Sequence, residues 1–448
     1  MTDTVFNLFA DGSPPAVRAR PSLAALNIVI LLAISCALTN IKLGSLQLQD
    51  FLLLFLLWFS ITSYAYSGFS LRVSPLVRPL LRSYGLFMLS LVIMALLAVR
   101  LTFFPLDQAS FLKQPILFSL SKVLQFGAVI CGFLWLTNAF VKHYNLLKLA
   151  VNTYWWTGIV SCLYAIACYA FLRLHGFETP EVFGAYNLDD YMRARGFFNE
   201  GGPFGVYIVS VFVVGVVRRS VTGRRLGVTW STVLCIALVL SGSKAGFVAA
   251  ALLILVWAFS GTSIRTRISY AVLTGALLVG VGMWLNFEAQ LYGYLYSYLN
   301  IEDEIAARGG DYHVIAGRVS ALHIVPKMIT THPLTGIGFG NYPLMRNDPD
   351  YLDGLPAVTE VEDLPGLGIP SVAAEIGLPA TLWLIVLLLS PYWRSRKKDS
   401  IVAVAALFQP VAHIFSVQIT FFYPWFVTAC ALGALFCFTP PPTERINS

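Results

Sequence analysis

The chain has 448 residues, 57% hydrophobic and only 12% charged, with a mean hydropathy of +0.72. An average soluble domain is about 25% charged, so this chain has too little polar surface to coat a water-soluble globule. The formal net charge is +7, but the basic residues fall in short connections between apolar runs, which argues against a nucleic-acid partner.

The first 22 residues are polar and lack a short apolar core with a cleavage site, so they read as a cytoplasmic tail ahead of a retained first span. A bilayer crossing takes about 20 apolar residues. By that measure the spacing predicts spans over 23–40, 47–66, 84–104, 115–140, 147–173, 203–217, 226–241, 245–260, 268–286, 370–391, 401–416 and 419–438. The fold class expected is therefore an all-α polytopic membrane protein with about twelve transmembrane helices. Residues 23–174 would hold the first five spans, 203–286 the next four and 370–438 the last three, with 439–448 a second cytoplasmic tail. Arg72, Arg78 and Arg82 share one connection, and Arg218, Arg219, Arg224 and Arg225 another. Arg265, Arg267 and the run from Arg394 to Lys398 occupy two more. All fall on one side if both termini are cytoplasmic, as the positive-inside rule requires.

The other side holds a loop over 175–202, a tight turn "SGSKAG" at 241–246 and a large loop over 287–369. Loops of that length are usually functional. Within it, "DYHVIAGRVSALHIVPKMITTH" has helical spacing of apolar residues, which predicts a helix-containing cap. The seven cysteines (36, 131, 162, 168, 235, 430 and 437) form no CxxC pair and read as small hydrophobes. No histidines stand at metal-ligand spacing, and no Walker or GxGxxG loop offers a nucleotide seat. The acids at 302–304 and 360–363 read as solvated loop.

Arg193, Arg195, Lys244, Arg318, His332 and Arg346 all lie on the outer side, against the charge bias. Arginine's fork binds phosphate oxygens in a bidentate way and lysine supplies a point charge, so this pattern fits an anionic ligand at the outer leaflet. Snorkelling toward headgroups is the alternative for any one of them. Glu200 beside Arg193 and Arg195 is a candidate proton acceptor, or else an acid stabilised by the following helix dipole. Glu375 reads as a structural acid in the first turn of its span. Asp363 is a lesser candidate for the acceptor.

Three segments resemble the O-antigen ligase and polysaccharide polymerase superfamily of bacterial inner-membrane glycosyltransferases. They are "RARGFFNEGGPFGVYIV", "LSGSKAGFVAAALLI" and "GRVSALHIVPKMITTHPLTGIGFGNY", followed by "VAAEIGLPATLWLIVLLL". The resemblance spans about residues 185–395; Lys244 stands where the family usually has arginine. It implies a donor of undecaprenyl-pyrophosphate-linked oligosaccharide at the periplasmic face and attack by an acceptor hydroxyl on the anomeric carbon. It also implies no cofactor and no metal, with a flippase and a chain-length regulator as partners. Glu200, Arg193, Arg195 and Arg318 would be catalytic; Lys244, His332, Arg346, Glu375 and Asp363 would contact diphosphate or glycan. Ligases typically carry a histidine about eleven residues before the Glu-x-Gly glycine. Here that position is Gly366. The resemblance therefore leans to a polymerase, with a ligase to lipid A-core or protein as the alternative and a transporter or flippase more distant. The spans carry few polar residues, Lys122 and Gln125 among them, which disfavours a transport path.

Overall fold

A computed structural model describes residues 21–39, 42–43, 46–66, 73–98, 101, 114–175, 193–198, 200–224, 226–259, 292–293, 296, 299–300, 303, 317–352, 354–358, 366–396, 400–414 and 417–437. The architecture is helical apart from one short hairpin, β1 (Lys42–Leu43) paired antiparallel with β2 (Leu46–Gln47). The bundle helices are α1 (Leu23–Ser35), α2 (Leu48–Tyr66), α3 (Arg78–Leu97), α4 (Pro115–Lys142), α5 (Tyr144–His175), α6 (Gly201–Thr222), α7 (Val228–Leu240) and α8 (Lys244–Phe259). An outer group follows: α9 (Arg318–Thr331), α10 (Tyr342–Met345), α11 (Pro349–Leu352) and α12 (Ile369–Ile376). Then α13 (Leu378–Ser395), α14 (Ser400–Ile414) and α15 (Phe422–Cys437) return to the bundle. Four helices, α3, α4, α5 and α6, have the length and apolar composition to cross a membrane, and several shorter apolar helices accompany them. The expected span 268–286 lies outside the described residues.

The bundle closes around α15, which is buried on nearly every side and packs on α4, α6 and α14. A helix apolar all round belongs in a core. Small residues let its neighbours approach closely: a Cβ at Gly433 would lie 2.7 Å from Phe140 Cβ. Trp425 is the aromatic hub, edge-on to Tyr84, Phe126 and Phe133 at 5.5–5.8 Å. Its indole N–H donates to the Ile419 carbonyl at 2.9 Å, so no polar atom is stranded. Gln125 of α4 likewise donates to Asp50 of α2 at 3.1 Å.

The expected continuous span over 370–391 is interrupted. Gly377 (φ +78°) separates α12 from α13, and a Cβ there would sit 2.4 Å from the Leu334 carbonyl oxygen. Only glycine adopts such a backbone without strain. Residues up to Ile376 therefore join the outer group, and α13 begins at Leu378.

That outer group has its own core. Ala321, Ile324, Val325 and Met328 of α9 repeat at helical spacing and meet Ile337, Tyr342, Met345, Tyr351 and Ala374. The helix expected in the large loop is thus present over its described part. The loop from Gly336 to Asn341 clamps α9 to α12: Ile337 N–H donates to Ala374 O at 3.0 Å and Gly338 N–H to Glu375 O at 2.8 Å. Phe339 leaves this loop and enters the bundle, 5.6 Å from the Phe126 ring. A Cβ at Gly338 would lie 3.0 Å from Ala98 Cβ, and the outer group sits directly on the ends of α3 and α4.

The ends of the bundle sort by charge. One end joins Ser74 N–H to Asn138 Oδ1 (3.0 Å), the Tyr144 hydroxyl to the Val221 carbonyl and Arg218 Nε to Asn152 Oδ1 (2.7 Å). This is the end that carries the arginine-rich connections. The opposite end carries the outer group and the loop over 193–198.

Candidate functional site

The first cluster forms where α6 and α8 begin. Three glycines make the approach possible. A Cβ at Gly201 would lie 2.6 Å from Ser241 O, one at Gly205 2.1 Å from Ser243 Cβ, and one at Gly246 2.8 Å from the Gly205 carbonyl carbon. Ser243 ties the crossing together by donating to Gly202 O at 2.8 Å and accepting Gly246 N–H at 3.0 Å. The second bond is an N-cap interaction for α8.

The loop with the two arginines is fastened to the same place. Ala194 N–H donates to Leu240 O at 3.0 Å, and Thr39 Oγ1 donates to Phe197 O at 3.3 Å. Phe197 stacks on Tyr164 at 4.5 Å. Phe198 packs against Phe204 and Tyr207 at 5.7 and 5.1 Å. In "RARGFF" the two aromatics anchor the segment. Arg193 lies over the serine turn, where a Cβ at Gly242 would come within 3.0 Å of its Cδ. Arg195 is nearly buried at 8% exposure. Lys244 opens α8 and is half-buried, while Glu200 occupies the N-cap of α6, exposed, with no side-chain capping bond. The N-termini of α6 and α8 thus meet beside the segment that carries Arg193 and Arg195, with Lys244 opening α8 and an exposed Glu200 at the N-cap of α6. Helix N-termini carry partial positive charge and outward N–H groups, so the field here favours an anion.

The second cluster lies in the outer group and differs from expectation. Arg346, anticipated as a ligand contact, is fully buried; its Nη1 donates to Asn347 Oδ1 and Pro356 O, both at 3.0 Å. A guanidinium spent on loop acceptors is a strut for the 346–358 segment rather than a surface group. Glu375, anticipated in the first turn of a span, instead accepts the N–H groups of Tyr342 (3.3 Å) and Gly340. The residue is only partly buried, but its carboxyl is withdrawn from solvent. Desolvation pushes it up to about 7, against the downward pull of those two amides and the Lys122 ammonium. His332 ends α9 and faces Asp348, whose carboxyl burial raises while the imidazole lowers it. The side chain of Arg318 and all of Asp363 lie outside the described residues. At Gly366 a Cβ would lie 2.7 Å from Ser371 Oγ and 3.0 Å from its Cβ, so a side chain there would require the serine to shift.

Sequence reading passed over two participants. Lys122 stood out as a lone cation in an apolar run, which marks a residue with a partner; its stem packs on Gly340 and its charge acts on Glu375. Asp348 lay in an ordinary-looking "NDPD" turn and gave no signal. No protein-family model matches this chain, and no characterised protein matches it in sequence.

Proposed function

We propose that this protein is a bacterial inner-membrane polysaccharide polymerase of the O-antigen ligase and polymerase type. In this reading it has twelve spans, cytoplasmic termini and a periplasmic site. The donor is an undecaprenyl-pyrophosphate-linked glycan and the acceptor a sugar hydroxyl on a second glycan, supplied and regulated by a flippase and a length regulator. The observation that supports the reading is the meeting of the N-termini of α6 and α8 beside the Arg193–Arg195 segment, with Lys244 opening α8, which would suit a diphosphate.

In the reaction the acceptor O–H gives its proton to the Glu200 carboxylate as its oxygen attacks the anomeric carbon. The bond from that carbon to the diphosphate oxygen breaks, and the diphosphate leaves with the electron pair. Charge growing on the leaving oxygen meets fixed cations and amides, which lowers the barrier. Polymerase is preferred to ligase because residue 366 is a glycine, where the ligase pattern would place a histidine.

The test is reconstitution of the purified protein with lipid-pyrophosphate oligosaccharide, scored for longer glycans. Glu200→Gln and Lys244→Ala, at residues that do not support the core, should lower the rate about a hundredfold; Arg318→Ala should do likewise. Wild-type rates in folded Glu200→Gln would remove the assigned base. In a deletion strain, unpolymerised single repeats support the polymerase, whereas full-length chains held on the lipid carrier point to a ligase.

A further inference from the structure

At the end opposite this site, a groove opens among the start of α3, the end of α13 and the end of α15. It encloses about 360 Å³ and is lined by Pro75, Leu76, Pro79, Arg394, Leu435 and Phe436. Its walls are preformed. Ser74 N–H is held by the buried Asn138 side chain, and Val77 and Arg78 N–H groups both return to Ser74 O at 2.9 and 3.0 Å. Two prolines fix the backbone on either side of that turn. Five of the six lining residues are apolar, and the sixth is an exposed arginine. Leu76 and Trp393 beside it are also exposed, which is the pattern of an interfacial surface facing lipid.

The electrostatics around the groove have one sign. The connections at this end, 67–83, 141–148, 218–228 and 393–400, contain a single acid, Asp399, against many Lys and Arg. Arg78, Arg82 and Arg396 are all exposed near the mouth. A hydrocarbon-lined slot with a guanidinium at its rim suits a molecule that joins an apolar body to a phosphate. Basic pockets between transmembrane helices on the positive side characteristically hold anionic headgroups.

We propose that this groove binds one anionic phospholipid, its phosphodiester on Arg394 and its glycerol and upper acyl segments against Leu76, Pro79 and Phe436. The lipid would bridge α3, α13 and α15 at an end where their apolar surfaces part. Arginine's fork suits the phosphate oxygens, and the prolines keep the slot open without an ordering cost.

Full-length protein, delipidated in mild detergent, is titrated with an equimolar mixture of phosphatidylglycerol and phosphatidylcholine and read by native mass spectrometry. The wild type should retain one phosphatidylglycerol in preference. Arg394→Ala should weaken that retention about tenfold, the effect of one lost charge-assisted hydrogen bond. Leu76→Trp, which fills the slot and leaves every charge in place, should weaken it similarly; Arg396→Ala, outside the lining, should not. Wild-type retention in both groove variants overturns the proposal. So does equal retention of the two lipids, or displacement of the lipid by millimolar inorganic phosphate, which would mark a free-anion site.

Discussion

The carboxyl of Glu375 is held by two loop amides and a lysine, and desolvation still pushes it up to about 7 from an ordinary 4.5. Between those values the folded protein binds a proton that the unfolded chain has released. Stability therefore falls as pH rises from about 4.5 to about 7 and is level above, a change on the order of 3 kcal/mol. Glu375→Gln removes the titration. Its melting temperature in detergent should be flat from about pH 5 to 7, where the wild type declines; parallel curves would show that Glu375 does not control this slope. The arginines show how far charge pattern alone can be read. Arg193, Arg195 and Lys244 stand out in the sequence as cations against the expected charge bias, and the fold brings their backbone segments together. Arg346 breaks it too, yet is buried on a carbonyl and an amide, because sidedness carries no information about depth.

Whole helices were legible wherever apolar residues ran long enough, and α2, α4 and α5 follow the hydropathy within a few residues. The break at Gly377 was not, because glycine is neutral in hydropathy and only its positive φ ends the helix. The same holds for the Gly336–Gly340 loop, where three glycines at φ +63°, +94° and +80° let backbone meet backbone. A Cβ at Gly336 would stand 2.2 Å from the Glu375 carbonyl oxygen. Gly336→Ala should cost about 2 kcal/mol or more through strain and the lost strap between α9 and α12. The expected readout is earlier proteolytic cleavage of the outer group with the bundle still folded. Unchanged proteolysis would mean that the strap is dispensable.

For the molecule as a whole, the connections sort into a basic end and an end bearing the outer group, and the proposed sidedness rests on this sorting. Single cysteines at Ser74 and Arg224, placed in a background lacking the native ones, should react with an impermeant thiol reagent only after the cells are opened. Cysteines at Lys244 and Thr331 should react in cells whose outer membrane alone is permeabilised. The reverse pattern would turn the site toward the cytosol and end the reading built on a periplasmic donor. The chain order of the spans was visible in hydropathy. The neighbours of α15 were not, since a helix apolar on all faces gives no sign of which face meets which partner.

The ring of Phe339 belongs to the Gly336–Asn341 loop but is only 4% exposed, packed among bundle side chains. Drawing it out into water would cost about 2 kcal/mol before any strap is broken. The outer group is thus pegged to the bundle like a lid with a dowel, and lifting it away is an uphill motion. Under the proposed function, a bulky lipid-borne donor would enter sideways from the bilayer, along the flank of the helices, without prising the two cores apart.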